Sequence, residues 1–231
     1  MSDFTPLDRQ VWNMLAGEQA HLAVGDGAAK RISPEYGPFA AALDTSREAQ
    51  DALAALLQGP DDRLWLVEPA VWPAPPGTRV VRTAKVLQLV ADREDVTDAV
   101  ADDEIVPLTE ADAREMFALA RLTEPGPWEV GTHRYGEFFG IRIDGKLVAM
   151  AGERMRPSAD FAEVSGVCTH PDHRGQGYAR LLISRVMASQ RARGLISYLH
   201  SYDGNEAAIG LYKSLGFRPR SHMYVTILAS T

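Results

Sequence analysis

The stretch VCTHPDHRGQGYAR, residues 167–180, sets two glycines and two arginines where an apolar run gives way to helical spacing. A helix that starts there leaves its first amides without partners and carries about half a positive charge at its tip. Glycines let an anion approach that backbone with no Cβ in the way. Arg174, Gly175, Gln176, Gly177, Tyr178, Ala179 and Arg180 are therefore candidates for holding a phosphate or pyrophosphate, with the two arginines adding charge. Two nucleotide fingerprints do not fit. The Walker pattern has no match in the chain, and Arg180 stands where Gly-x-Gly-x-x-Gly needs its third glycine.

The same stretch offers a thiol and two imidazoles. Cys168 alternates with Val167 and Thr169 and no triad partner accompanies it, so it reads as a small buried hydrophobe rather than a nucleophile. His170 and His173 with Asp172 form a poor ligand set beside a helical His-Glu-x-x-His, and no metal is expected.

Period and punctuation place these residues on elements. Thr109-x-x-Asp112 resembles a capping box ahead of a helix carrying Met116, Phe117 and Leu119. Runs 138–143 and 147–151 flank Asp144-Gly145, a type I′ hairpin signal. A strand over 161–169 leads into the glycine loop and a helix over 178–193 that Gly194 ends. A strand over 195–200, a helix over 205–215 and a strand over 223–228 complete the chain. Earlier, Thr5-Pro6 starts one helix, Asp44, Thr45 or Ser46 caps a second, and 64–67 and 79–90 read as strands. The acidic run 91–104, with Arg93 its only base, marks a linker. The expectation is an N-terminal α/β domain over 1–90 and a second domain over 105–231.

Three segments together resemble the GNAT superfamily of N-acetyltransferases. They are VCTHPDHRGQGYA with its preceding strand, YDGNEAAIGLYKSLGF, and the hairpin EFFGIRIDGKLVAMAG. The first meets the pattern Arg/Gln-x-x-Gly-x-Gly/Ala through Arg174, Gly177 and Ala179, and the resemblance spans about residue 105 to the end. It implies an α/β (α+β) fold, a mixed, mostly antiparallel twisted sheet flanked by helices, with a central parallel strand pair splayed around acyl-CoA. It implies acetyl-CoA as acyl donor, its pyrophosphate on the amides of 174–180 and its pantetheine arm along Val167, Cys168 and Thr169. The backbone of Val167 and Thr169 would pair with that arm like an added strand.

Transfer of an acetyl group to an amine needs a neutral nucleophile and a protonated leaving sulfur. Tyr212 falls on the tyrosine of the family's pattern that begins at Asn205, and a phenol of pKa about 10 can protonate a thiolate whose conjugate acid lies near 8.5. It is the candidate acid; the other role open to it is packing its helix on the sheet. Asn205 would bond the cofactor arm or cap its helix. Glu163 lies on a strand similar to the one that holds the catalytic glutamate in the histone acetyltransferase branch, and is either the base or a surface residue. Glu153 and Glu137 are fallback carboxylates. Trp128, His133 and Tyr135 fall where the family builds its acceptor pocket, for an unidentified amine on a small molecule or a peptide N-terminus.

Composition sets the outer limits. The chain has 231 residues, 45% of them hydrophobic and 24% charged, with one cysteine and a formal net charge of -7. That balance fits a folded protein in a reducing, cytoplasmic compartment and argues against a nucleic-acid partner. Apolar runs fall far short of the roughly 20 residues needed to span a bilayer, so no membrane partner is expected. The N-terminal part is expected to be a degenerate second copy of the acyltransferase fold that shapes the acceptor pocket or a homodimer contact.

Overall fold

The structure, a computed structural model, describes residues 3–25, 27–91 and 104–231. The chain begins with α1 (Gln10–Ala16), β1 (Ala23–Val24), β2 (Ala29–Ile32), β3 (Ala40–Ala42) and α2 (Arg47–Ala55). Strands β4 (Leu64–Glu68), β5 (Thr78–Ala91) and β6 (Ile105–Leu108) follow, then α3 (Ala113–Thr123), β7 (Phe138–Ile143), β8 (Lys146–Glu153) and β9 (Phe161–Thr169). The last elements are α4 (Tyr178–Ala192), β10 (Ile196–Tyr202), α5 (Glu206–Ser214) and β11 (Arg218–Ser230). Punctuation acts as the sequence implies. Thr109 and Asp112 close a capping box, Ser46 caps α2, and Asp144 and Gly145 take φ of 50° and 76° in the hairpin turn.

Eight strands form one sheet in the order β4-β11-β5-β10-β9-β8-β7-β6. Every neighbouring pair is antiparallel except β9 with β10. A second antiparallel sheet, β1-β2-β3, carries the all-alanine strand Ala40–Ala42, whose low β-propensity hid it from pattern reading. One face of the large sheet buries the stripe Leu182, Ile183, Val186 and Met187 of α4 against Val148, Val164 and Leu199. Each such side chain contributes on the order of 1.5–3 kcal/mol when fully buried. Another cluster packs Val11, Met14 and Leu15 of α1 against Phe161, Ile196, Tyr198 and Val225.

The sheet crosses the boundary expected at 91–104. Most of that run, 92–103, lies outside the described residues. On its N-terminal side, however, β5 sits between β10 and β11, pairing Val86 with Tyr202 and Met223, and β4 pairs with β11. The strands of 64–91 and those of 196–230 are thus interleaved rather than segregated. Removing residues 1–91 would leave β10 and β11 with no strand between them. The fragment 92–231 is expected to be insoluble or to lack a cooperative thermal transition by circular dichroism, and native CoA affinity in that fragment would show that the sheet closes without β5.

Candidate active site

The parallel pair that should open around a ligand does so. Strands β9 and β10 are in register only at Phe161 with Ile196, Ala162 with Ser197 and Glu163 with Tyr198, although both strands run on. A bulge in β9 accompanies the parting: Cys168 faces Met150 and Ser165 faces Gly152, leaving Gly166 and Val167 without opposite numbers on β8. Gly166 has φ +64°, and a Cβ there would meet Phe138 and Trp128 at 2.9 Å, so only glycine fits.

Two cavities meet at this fork. One, about 390 Å3, is lined by Thr123, Val167, Cys168, Thr169, His173 and the loop 174–180. Gly175 and Gly177 both take φ +80°, and a Cβ at either would find no protein atom within 4 Å, so the space over them is open to a ligand. Gly177 precedes α4 with no side-chain cap, which leaves the first-turn amides to an anion. These features fit the pyrophosphate of an acyl-CoA. Arg174 donates back to the Thr169 carbonyl at 3.4 Å and Arg180 to Ser214 at 2.7 Å, both exposed.

The second cavity, about 320 Å3, shares Thr123 and Val167 with the first and is lined by Tyr212, Asn205, Glu163, His200 and Arg154. Phe39, Trp65 and Gln10 bring the N-terminal part into its wall. It shares Trp65, Glu124 and Tyr202 with a wider opening of about 740 Å3 that Trp128, Arg63 and Arg82 also line. The fork cavity thus borders the glycine-loop cavity on one side and the wider opening on the other.

Burial raises the Tyr212 phenol above its ordinary value of 10, so it keeps its proton at neutral pH. Asn205 caps α5 by accepting from the Ala208 amide at 3.2 Å, and it also lines the fork cavity. Burial pushes the Cys168 thiol up to about 11, and the side chain packs among Met116, Leu119 and Met150. That is the setting of an inert thiol.

Glu163 is neither at the surface nor free. It is 1% exposed, accepts from Arg154 Nε at 3.0 Å and lies 3.0 Å from His200 Nδ1. Burial alone would raise its carboxyl, but the Arg154 charge and the His200 hydrogen bond outweigh it and hold the group down at about 2. A carboxylate held ionised so strongly is a poor proton acceptor at neutral pH. The hydrogen bonds behind it run in one direction. Arg220, a pure donor, gives to Gln88 Oε1 at 2.7 Å, so the Gln88 nitrogen turns towards Leu7 O at 3.0 Å, Gln10 Oε1 at 3.1 Å and His200 Nε2 at 3.1 Å, and the other His200 nitrogen, Nδ1, meets Glu163.

Arg154, His200 and Gln10 were not singled out in the sequence. For His200 a signal existed, since it alternates with Ile196 and Tyr198 on a strand ending at the fork. The fallback carboxylates lie elsewhere: Glu153 pairs with Arg193 at 2.6 Å and Glu137 bonds Ser189, both on the α4 side. Of the three aromatic candidates for the acceptor pocket, Trp128 lines the opening, His133 contacts Glu110 at 2.9 Å, and Tyr135 is buried in the core. Among the described residues no group of three or more His, Cys, Asp or Glu is placed to hold a metal. No described helix is long and apolar enough to cross a membrane.

Comparison with known proteins agrees with this geometry. The profile of the acetyltransferase (GNAT) family matches residues 96–217. The chain is 31% identical over 140 residues to the N-alpha-acetyltransferase RimI of Mycobacterium tuberculosis (strain ATCC 25618 / H37Rv), an alignment covering 56% of this chain and 83% of that protein. A crystal structure from Novosphingobium aromaticivorans DSM 12444, described as a GNAT-family acetyltransferase, is 55% identical with a TM-score of 0.93, over 98% of this chain and 99% of that one. A GCN5-related N-acetyltransferase from Kribbella flavida shares the fold at 17% identity, with a TM-score of 0.64 over 100% of this chain and 96% of its own. With the family profile covering over half its length and the fork and glycine loop in place, the chain belongs to the GNAT family of acetyltransferases.

Proposed function

We propose that the protein transfers an acetyl group from acetyl-CoA directly to a primary amine, both substrates being bound at once. The observation that carries this reading is the fork between β9 and β10, where the cavity of the glycine loop borders a chamber walled by Tyr212, the two sharing Thr123 and Val167. Two openings onto one reacting point suit two substrates that meet there, with no covalent relay through the buried Cys168. Acetyl-CoA supplies the acetyl thioester and leaves as the thiol. The amides at 174–180 hold its phosphates, with Arg174, Gln176, Tyr178, Ala179 and Arg180 around them, and Val167, Cys168 and Thr169 run along its arm.

The amine nitrogen attacks the carbonyl carbon as the carbon–sulfur bond breaks. Tyr212 gives its proton to the departing sulfur, and the amine's proton leaves through water in the chamber. Glu163 acts as a positioning group, fixing Arg154 and His200 on the wall. The acceptor enters through the opening lined by Trp65 and Trp128.

Titration calorimetry tests the reading. Acetyl-CoA and CoA should bind while NAD and ATP do not. Gly177→Val, which strains a φ of +80° and fills the anion's place, should weaken CoA binding at least ~10-fold without loss of fold. Absence of CoA binding to the folded wild type would end the acetyltransferase reading. Binding without turnover of any amine, and with no effect of Tyr212 substitution, would favour a non-catalytic acyl-CoA-binding module.

A further inference from the structure

The opening beyond the fork is roomier than an amine alone requires. At about 740 Å3 it exceeds the chamber of about 320 Å3 that Tyr212 lines, and the two share Trp65, Glu124 and Tyr202. An acceptor that fills both is an extended molecule. Strand register fixes how the two spaces line up. Across β4, β11 and β5, Val67, Val225 and Ala84 lie opposite one another, and so do Trp65, Ile227 and Arg82. Val86 of β5 lies opposite Tyr202 of β10. Alternate residues of a strand share a face, so Val86, Ala84 and Arg82 stand on the same side of the sheet as Val67 and Trp65. Val86, Val67 and Val225 line the chamber, whereas Arg82 lines the opening. The four residues from Val86 to Arg82 span about 13 Å of strand.

The charges of the opening are sorted along that track. Arg82 is exposed, its guanidinium lies 5.9 Å from the centroid of the Tyr202 ring, and among the described residues no carboxylate pairs with it. Arg63, just before β4, gives Nη1 to the carbonyls of Pro60 and Asp62 and likewise has no carboxylate partner among the described residues. Asp62 is committed to Arg31, which leaves Asp61 as the other acid of the strand side. On the opposite side Arg121 and Glu129 carry one charge of each sign, and Glu124 ends α3 where it lines chamber and opening alike. Glu124 holds a φ of 48°, a left-handed conformation that a residue other than glycine adopts at a cost and that clusters at ligand sites. A carboxylate at the throat and a guanidinium at the rim match a molecule with an ammonium at one end and an anion further along. An extended peptide advances about 3.3 Å per residue, so the 13 Å track corresponds to about four residues.

We infer that the acceptor is a peptide N-terminus with an acidic side chain at its fourth residue or one place to either side. Arg82 is the specificity-determining residue that reads this carboxylate, Arg63 is the second cation of that wall, and Glu124 draws the N-terminal ammonium to the throat. This rests on the acetyl-transfer reading, and the experiment keeps the two apart.

The test measures kcat/KM at low salt and saturating acetyl-CoA for octapeptide amides of glycine and serine that begin with alanine or methionine. They carry glutamate, glutamine or lysine at the fourth place, or glutamate at the eighth. Wild type should prefer glutamate to glutamine at the fourth place by about fivefold, and to lysine by more, with no gain from glutamate at the eighth. Added salt should erase most of that preference. Arg82→Gln should bring the ratio near one through KM, with kcat, the acetyl-CoA Kd and the thermal midpoint unchanged. Arg82→Glu should reverse the order and make the lysine peptide the better acceptor, a swap that a merely structural arginine does not produce. A glutamate preference that survives Arg82→Gln, a wild type indifferent to charge at the fourth place, or alaninamide turning over as fast as the best peptide overturns the inference. CoA binding with no transfer to any of the peptides also overturns it, while leaving acetyl transfer to other amines intact. Failure to bind CoA would instead overturn the functional reading beneath it.

Discussion

Tyr212→Phe is expected to lower kcat by about a hundred- to ten-thousand-fold while leaving the acetyl-CoA Kd within about twofold of wild type. The phenylalanine preserves the ring contact with Phe217, whose centroid lies 6.1 Å away, so packing of α5 is retained and only the proton is lost. The pH profile separates catalysis from packing. Because burial raises the phenol, wild-type kcat should hold up to pH 10 and fall only above it as Tyr212 ionises. That alkaline limb should disappear in the variant. If kcat is unchanged by the substitution, the departing sulfur takes its proton from elsewhere and Tyr212 is a packing residue.

The largest stability effect is expected at Arg154. Arg154→Met removes the partner of a carboxylate that is 1% exposed, and stranding a buried charge in this way costs about 3–5 kcal/mol. The double variant Arg154→Met with Glu163→Leu should recover most of that loss, since replacing both partners leaves no charge to strand. Acid denaturation reports the same pair. The Glu163 carboxyl lies at about 2 in the folded protein against an ordinary 4.5, so its contribution is fully present above pH 4.5 and is lost as pH falls from there towards 2. By linkage that contribution is on the order of 3 kcal/mol. Glu163→Gln should flatten this part of the stability curve; an identical acid limb in wild type and variant would mean that Glu163 is not held ionised by its neighbours.

How much was legible depended on the range of the physics involved. Elements announced by local chemistry were readable: the Asp144-Gly145 turn, the Thr109 capping box and the glycine-led α4 each depend on a few adjacent residues. The loop 174–180 could be read for the same reason. The place of β5 could not, because a strand's own alternation says nothing about which distant strands flank it. Glu163 shows the same limit. Its spot on β9 could be inferred, but the partners that hold its carboxyl down come from β10 and from the segment after β8. Gln10 lay further still, since it meets Gln88, which Arg220 also contacts, and α1, β5 and β11 are brought together only by the finished fold.

The interleaved sheet also bears on how the chain reaches its fold. As the polypeptide leaves the ribosome, β4 and β5 emerge early, yet the strands that flank β5 are among the last to appear, with Val80 waiting for Leu228 and Val90 for Tyr198. Pairings of such long sequence separation carry a high loop-closure cost and fold slowly, and unpaired strand edges left open meanwhile invite aggregation. Refolding from denaturant should therefore be slow for a chain of this size and fall in yield as concentration rises, and the nascent protein should lean on chaperones until its final strand is free to dock.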